Sequence, residues 1–174
     1  MTDDPLPPRA REILDVARRL LEAEGNSALS MRRLAERLGI RAPSIYKHFP
    51  DKRALENALI SIAFERMAAV LEAAAADAGD PVGAVAAAYR GFAREHPHLY
   101  RLATERALDR ERLAPGVEDR AERPVYEAFG RDADLARAAW AFAHGMTILE
   151  LNDRFPPGAN LDAAWRRGLD GLRP

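Results

Sequence analysis

Apolar residues recur along this chain at the three- and four-residue spacing of helices, and glycine and proline cut the pattern into blocks. The spacing predicts a first helix over residues 9–24, with Ile13, Val16, Ala17, Leu20 and Leu21 on one face and Gly25-Asn26 ending it. Ser30 suits the N-cap of a second helix that buries Met31, Leu34, Ala35 and Leu38 and stops at Gly39. Pro43 opens a short third helix, 43–48, because a first-turn proline lacks only an N–H that would have no partner anyway. Phe49-Pro50 ends it, and Asp51 caps a long fourth helix, 52–77, facing Leu55, Leu59, Ile62, Met67 and Val70 inward. Gly79-Asp80-Pro81 breaks the chain before a fifth helix, 81–95, with Val82, Val85, Tyr89 and Phe92 in phase. His96-Pro97-His98 breaks it again before a sixth, 97–108. Between Ala114 and Phe129, Pro124 either kinks one helix or begins a shorter one. No run alternates apolar and polar residues with β-branched enrichment, so an all-α fold is expected.

The eighth helix, 132–155, carries two apolar rows. One is Leu135, Ala139, Phe142, Met146 and Leu149; the other is Ala136, Trp140, Ala143, Thr147 and Leu151. A helix apolar over so much of its circumference needs cover on two sides. A ninth helix, 161–172, follows Pro156-Pro157-Gly158 and presents Leu161, Trp165, Gly168 and Leu172. Both rows could be core of a compact monomer. The reading preferred is a four-helix dimer interface built by the last two helices of each copy, through the first row with Leu161 and Trp165. Gly145 costs ~1 kcal/mol inside a helix relative to alanine, which a close helix–helix approach at that seam would offset.

Composition sharpens this. The 174 residues fit one domain or two small ones, and 48% apolar with 30% charged residues describes a globular chain. There is no cysteine, which excludes disulfides, thiolate zinc sites and cysteine nucleophiles. The start, Met1-Thr2-Asp3-Asp4-Pro5, is acidic and does not read as a signal peptide, and the longest apolar run, Ala58 to Phe64, is too short for a membrane span. A cytoplasmic protein without a membrane partner is expected. His96-x-His98 lacks a third ligand, so no metal is expected; no phosphate loop, HExxH or nucleophilic triad stands out, and neither an enzyme nor a cofactor is indicated.

The net charge of −1 hides an asymmetry. Residues 27–53 hold Arg32, Arg33, Arg37, Arg41, Lys47, Lys52 and Arg53 against Glu36 and Asp51, a net +5, whereas residues 54–174 sum to −4. Lys47 and Lys52 are the only lysines. A basic head on a mildly acidic body suits a protein that meets a polyanion at one end. Two short helices around a glycine turn form a helix-turn-helix, the device that sets a helix into the major groove of DNA. Ile45 and Phe49 pack inward with Leu34 and Leu38, leaving Arg41, Ala42, Ser44, Tyr46, Lys47 and His48 around the outer face. Small Ala42 and Ser44 allow close approach, Arg41 and Lys47 can reach bases or phosphates, and Tyr46 and His48 can hydrogen-bond phosphate oxygens. Lys52 opposes the macrodipole at the start of the fourth helix, and a nearby phosphate would explain it.

The stretch Leu34-Ala35-x-x-Leu38-Gly39-Ile40-Arg41-Ala42-Pro43-Ser44-Ile45-Tyr46-Lys47-His48-Phe49-x-x-Lys52 closely resembles the DNA-binding domain of TetR-family transcriptional regulators, over about residues 9–60. The resemblance implies contacts from Ser30 and Arg32 on the first helix of the motif. It implies base-reading or base-adjacent positions at Arg41, Ala42, Ser44 and Lys47, and phosphate anchors at Tyr46, His48 and Lys52. Position 47 varies in the family.

A weaker resemblance covers the rest. Tyr89-x-x-Phe92-Ala93-x-x-x-Pro97-x-Leu99-Tyr100 and Trp140-x-x-x-His144-Gly145-x-x-x-Leu149-Glu150 look like the Trp-His-Gly subclass of TetR C-terminal domains, which are helical, dimerise through their last two helices and usually enclose a small-molecule cavity. On that likeness Phe64, Met67, Tyr89, Phe92, Tyr100, Trp140 and His144 line an effector pocket; as an aromatic and methionine stripe at helical spacing they are equally a plain core. The expectation is a three-helix DNA-binding domain over 1–53 and a helical ligand-binding and dimerisation domain over 54–174. The whole would be a homodimeric repressor released from a palindromic double-stranded DNA operator by a small-molecule effector. The alternative is an all-α ligand-binding or interaction module without specific DNA binding.

Overall fold

The computed structural model describes residues 6–174, so the acidic start, residues 1–5, lies outside it. The described residues form α-helices α1 (Pro8–Glu24), α2 (Met31–Leu38), α3 (Ala42–Tyr46), α4 (Lys52–Ala75), α5 (Pro81–Glu95), α6 (Pro97–Thr104), α7 (Val117–Ala128), α8 (Ala133–Leu151) and α9 (Leu161–Asp170), with no strand among them. Short 3-10 turns occupy Asn26–Ala28 and Arg110–Arg112. No helix is long and apolar enough to cross a membrane among the described residues.

The chain divides into two compact units. One comprises the residues up to Ala63 together with His98–Pro115; the other comprises Phe64–Pro97 and Gly116–Pro174. This is not the division at residue 53 read from charge and periodicity. The boundary falls inside α4, and α6 with the segment after it belongs to the unit of the basic helices. The reason is a set of long-range contacts invisible to periodicity. The His98 ring lies against Gly25 at the end of α1. Arg106 pairs with Glu56 at 3.1 Å and Arg53 with Asp109 at 2.9 Å, while the Ala114 N–H donates to the Ser61 hydroxyl at 3.0 Å.

In the first unit α1 packs on α2 and α2 on α3. Ile13, Leu21, Leu34, Ile45, Leu55 and Leu59 are fully buried together with Leu99 and Tyr100 of α6. α2 begins at Ser30, whose hydroxyl accepts the Arg33 N–H at 3.2 Å. It ends at Gly39, whose φ of 65° permits the Ile40 N–H to reach the Ala35 carbonyl and the Gly39 N–H the Glu36 carbonyl. That paired closure needs a residue in the left-handed region, which glycine enters without steric cost.

In the second unit α5 packs against α7, α8 and α9, burying Val82, Val85, Tyr89 and Phe92 as the spacing predicts. Asp80 caps α5 and also holds Arg173 through two contacts of 2.8 Å, and the guanidinium, then the Gly83 N–H, hold its carboxyl down to about 2. Pro124 lies inside α7, which runs through it unbroken. Five helix ends come earlier than expected: α3 at Tyr46, α4 at Ala75, α6 at Thr104, α8 at Leu151 and α9 at Asp170. α8 stops because Asp153 adopts φ 50°, letting the Arg154 N–H reach the Leu149 carbonyl. Val70, expected to face inward, is 39% exposed, because α4 turns that side outward by its last turns.

Burial of α8 cuts across its two rows. Ala143 and Thr147 of the second row are buried with Ala139, so the protomer's own core takes the face centred on these three. Phe142 of the first row is taken by α9, where its ring meets Trp165 edge-on at 5.7 Å. It also lies over Gly168, where an added Cβ would sit 2.1 Å from its Cζ atom. Gly168→Ala is therefore expected to destabilise the protein by about 1–3 kcal/mol in urea titration, with Phe142→Leu restoring part of the loss. An unchanged midpoint would show that α9 does not depend on this approach.

Candidate nucleic-acid interface

The outer surface of the first unit is shaped by which cations are already occupied. Glu24 of α1 accepts both Arg33 and Arg37 of α2, the latter at 2.9 Å. That fixes α2 against α1 and removes two of the seven basic side chains from competition for a ligand. Arg32, on the opposite side of α2, is almost wholly exposed and only loosely near Glu36 at 3.7 Å. Ser30 serves as the α2 cap while remaining exposed.

α3 follows the turn, and its inward face is Ile45, fully buried, with Phe49 just beyond the helix. The rest of it is exposed or half-buried. Arg41 at the N-cap and Lys47 at the C-cap are exposed and form no ion pair among the described residues. Tyr46 is 48% exposed, and Ala42, Ser44 and His48 are half-buried. The structure thus brings Arg41, Ala42, Ser44, Tyr46, Lys47 and His48 onto one five-residue helix and its flanks. An exposed tyrosine flanked by unpaired cations satisfies no need of folding; it fits hydrogen bonding and charge attraction to a phosphate backbone.

Lys52 departs from the simple expectation. It begins α4, but its ammonium already has an anion, the Glu56 carboxylate one turn on at 3.4 Å. Asp51 supplies the cap, accepting the Ala54 N–H at 2.7 Å.

The residues expected to line an effector pocket are scattered. Met67, Tyr89 and Phe92 are buried core of the second unit, with Phe64 half-buried. Tyr100 is fully buried in the first unit. Trp140 is 50% exposed and stacks on half-buried His144 at 5.9 Å. A different, open cleft of about 440 Å³ lies in the second unit, lined by Arg90, Arg94, Glu150, Asp153, Phe155 and Leu161, and none of the expected residues reaches it. Its wall is a network the sequence reading missed. Arg90 pairs with Glu150 at 2.8 Å and Asp162 at 2.6 Å and lies 5.5 Å above the Trp165 ring, whose N–H donates to Glu150. Hydrogen bonding to Arg90 lowers the Asp162 carboxyl from its ordinary range. No group of three metal-ligating side chains occurs among the described residues.

Of the expected dimer residues, Ala139 and Trp165 are buried within the protomer, Leu135, Met146 and Leu161 are half-buried, and Leu149 is 41% exposed.

Comparison with known proteins now decides the family. The profile described as "Bacterial regulatory proteins, tetR family" matches residues 13–59, and "Tetracyclin repressor-like, C-terminal domain" matches residues 82–172, more than half of the chain. The chain belongs to the TetR family. It is a TetR-type DNA-binding transcriptional regulator, and residues 13–59 are the family's helix-turn-helix region.

Among its relatives is an HTH-type transcriptional regulator of Mycobacterium tuberculosis, 29% identical over 155 residues, covering 80% of this chain and 68% of that protein. The tetracycline repressor class C of Escherichia coli is 49% identical over 47 residues, 27% of this chain and 22% of the repressor. The likeness to that TetR-family repressor is thus concentrated in a short segment. Among solved structures, a protein of unknown function from a Rhodococcus strain superposes with a TM-score of 0.76 at 26% identity, covering 99% of this chain and 97% of that one. A TetR variant from Acinetobacter baumannii in complex with minocycline gives 0.64 at 26% identity, over 93% and 92%.

Proposed function

We propose that this TetR-family regulator is a homodimeric repressor that leaves a palindromic operator when a small molecule binds its C-terminal unit. The observation that carries the DNA half of this reading is the outer surface of α3: Arg41, Tyr46 and Lys47 are exposed without serving the fold. In this reading Arg41, Ala42, Ser44 and Lys47 face the bases, Ser30 and Arg32 support them from α2, and Tyr46, His48 and Lys52 hold phosphates. Two such helices enter successive major grooves roughly 34–36 Å apart.

Dimerisation is supported by α8. Opposite its buried stripe, at 100° per residue, lie Ala138, Ala141, Gly145 and Ile148, with exposed Leu149 at one flank. A Cβ added at Gly145 would meet nothing within 4 Å in the protomer. A surface that is small, apolar and open fits the same surface of a second copy. The effector half rests on relatives: the A. baumannii TetR variant is described in complex with minocycline. The Trp140, His144 and Gly145 pattern supports assignment to the Trp-His-Gly subclass, and Phe64, Met67, Tyr89, Phe92, Trp140 and His144 of the second unit are the residues we assign to effector response. α4 is common to both units and is the element through which effector binding reaches the DNA head. The protein acts in the cytoplasm, where the operator is.

The test is operator selection from genomic fragments followed by titration over salt. Lys52→Ala is expected to weaken binding to all sequences alike and to flatten the log–log salt dependence by about one unit. An unchanged slope removes Lys52 from the phosphate contacts.

A further inference from the structure

The Glu56 carboxylate is shared more widely than a one-turn ion pair requires. It is almost buried, and three groups converge on it: Lys52 at 3.4 Å, Arg106 at 3.1 Å, and the Asn26 amide, which, turned so that its nitrogen faces the carboxylate, donates to it at 3.1 Å and accepts from Arg106 at 2.6 Å. Arg106 does not belong to α4. It starts the segment after α6 that is strapped to the first turns of α4 by Arg53–Asp109 at 2.9 Å, Arg112–Asp51 at 4.0 Å and the Ala114 N–H on Ser61.

From this geometry we propose that the strap governs Lys52: Arg106 competes with Lys52 for Glu56, and its presence leaves the lysine available to a DNA phosphate. With Arg106 seated, two cations share one carboxylate and the trio carries a net positive charge. With Arg106 withdrawn, a nearly buried carboxylate keeps a single cation. Leaving it uncompensated would be costly, so Lys52 is drawn in and the net charge at the start of α4 falls to zero. Glu56 and Arg106 are thus positioning residues for a phosphate contact they do not make. The proposal rests on the reading of Lys52 as a phosphate contact.

Lys47 and Lys52 are the only lysines, so the ¹⁵N ammonium signals of the full chain are assigned by one substitution. Without DNA, Arg106→Ala is expected to slow ammonium proton exchange at Lys52 and leave Lys47 unchanged. On double-stranded operator fragments it is expected to lower the salt slope by about one unit, as Lys52→Ala does, with the double variant losing no more than either. In a Glu56→Gln background Arg106→Ala should cost no slope, because the lysine is then free regardless. Unchanged exchange at Lys52, additive slopes in the double variant, or a loss that persists with Glu56→Gln would each overturn the proposal. Slowed exchange with no slope change for either Lys52→Ala or Arg106→Ala would overturn it at the phosphate contact while locating the failure there and not at the carboxylate. If Arg106→Ala fails to fold, Glu56→Gln alone decides: exchange at Lys52 becomes faster, or the proposal falls.

Discussion

Trp165→Ala is expected to cost about 3–5 kcal/mol of stability. Trp165 is buried, and three separate interactions end on it: the Phe142 ring edge-on, the Arg90 guanidinium over its face, and the indole N–H donated to Glu150. Truncation opens a cavity beneath α9 and removes the donor to a carboxylate that also fixes Arg90, so apolar and polar terms fall together. Trp165→Phe separates them: it keeps most of the packing and loses the N–H, and a loss near 1 kcal/mol is expected. Urea unfolding followed by circular dichroism measures both. Equal losses for the two variants would show that the hydrogen bond and not the packing anchors α9.

Much of the helical frame was legible because its causes are local. Ser30 as a cap, Gly39 as a stop, Pro81 in a first turn and the Val82–Phe92 stripe each depend on residues within about four positions. What escaped depends on partners far along the chain. Residues 105–108 read as the tail of a helix in sequence; the chain leaves the helix after Thr104 because Arg106 and Asp109 find Glu56 and Arg53 roughly fifty residues earlier. The same pairings move the division of the chain into α4. The apolar rows of α8 were legible, but not that the protomer's core would draw on both, through Ala139, Ala143 and Thr147, while Gly168 claims Phe142 through a contact no spacing announces. Charge was legible only in total. The +5 island is real, yet Glu24 occupies Arg33 and Arg37, and Asp109 occupies Arg53, so few cations remain open to a ligand.

Those open cations carry the second large effect. Arg41→Ala and Lys47→Ala are each expected to leave stability within about 0.5 kcal/mol of the parent, because both side chains are exposed and without ion-pair partners among the described residues. Their effect should fall on DNA. If Arg41 makes a bidentate contact to a guanine edge, its loss costs about 1–3 kcal/mol at that base pair, roughly 5- to 150-fold in affinity for the preferred operator. Variants of the operator already lacking that base should lose little further. Arg41→Lys separates the fork from the charge, since an ammonium cannot reproduce two parallel donors and should recover general affinity without recovering the base preference. Titration of each protein against an operator series at fixed salt provides the full matrix. A loss confined to one or two base pairs assigns the side chain to reading the groove. Uniform loss across the series, together with a flatter salt dependence, assigns it to a phosphate and leaves base discrimination to the remaining side chains of α3.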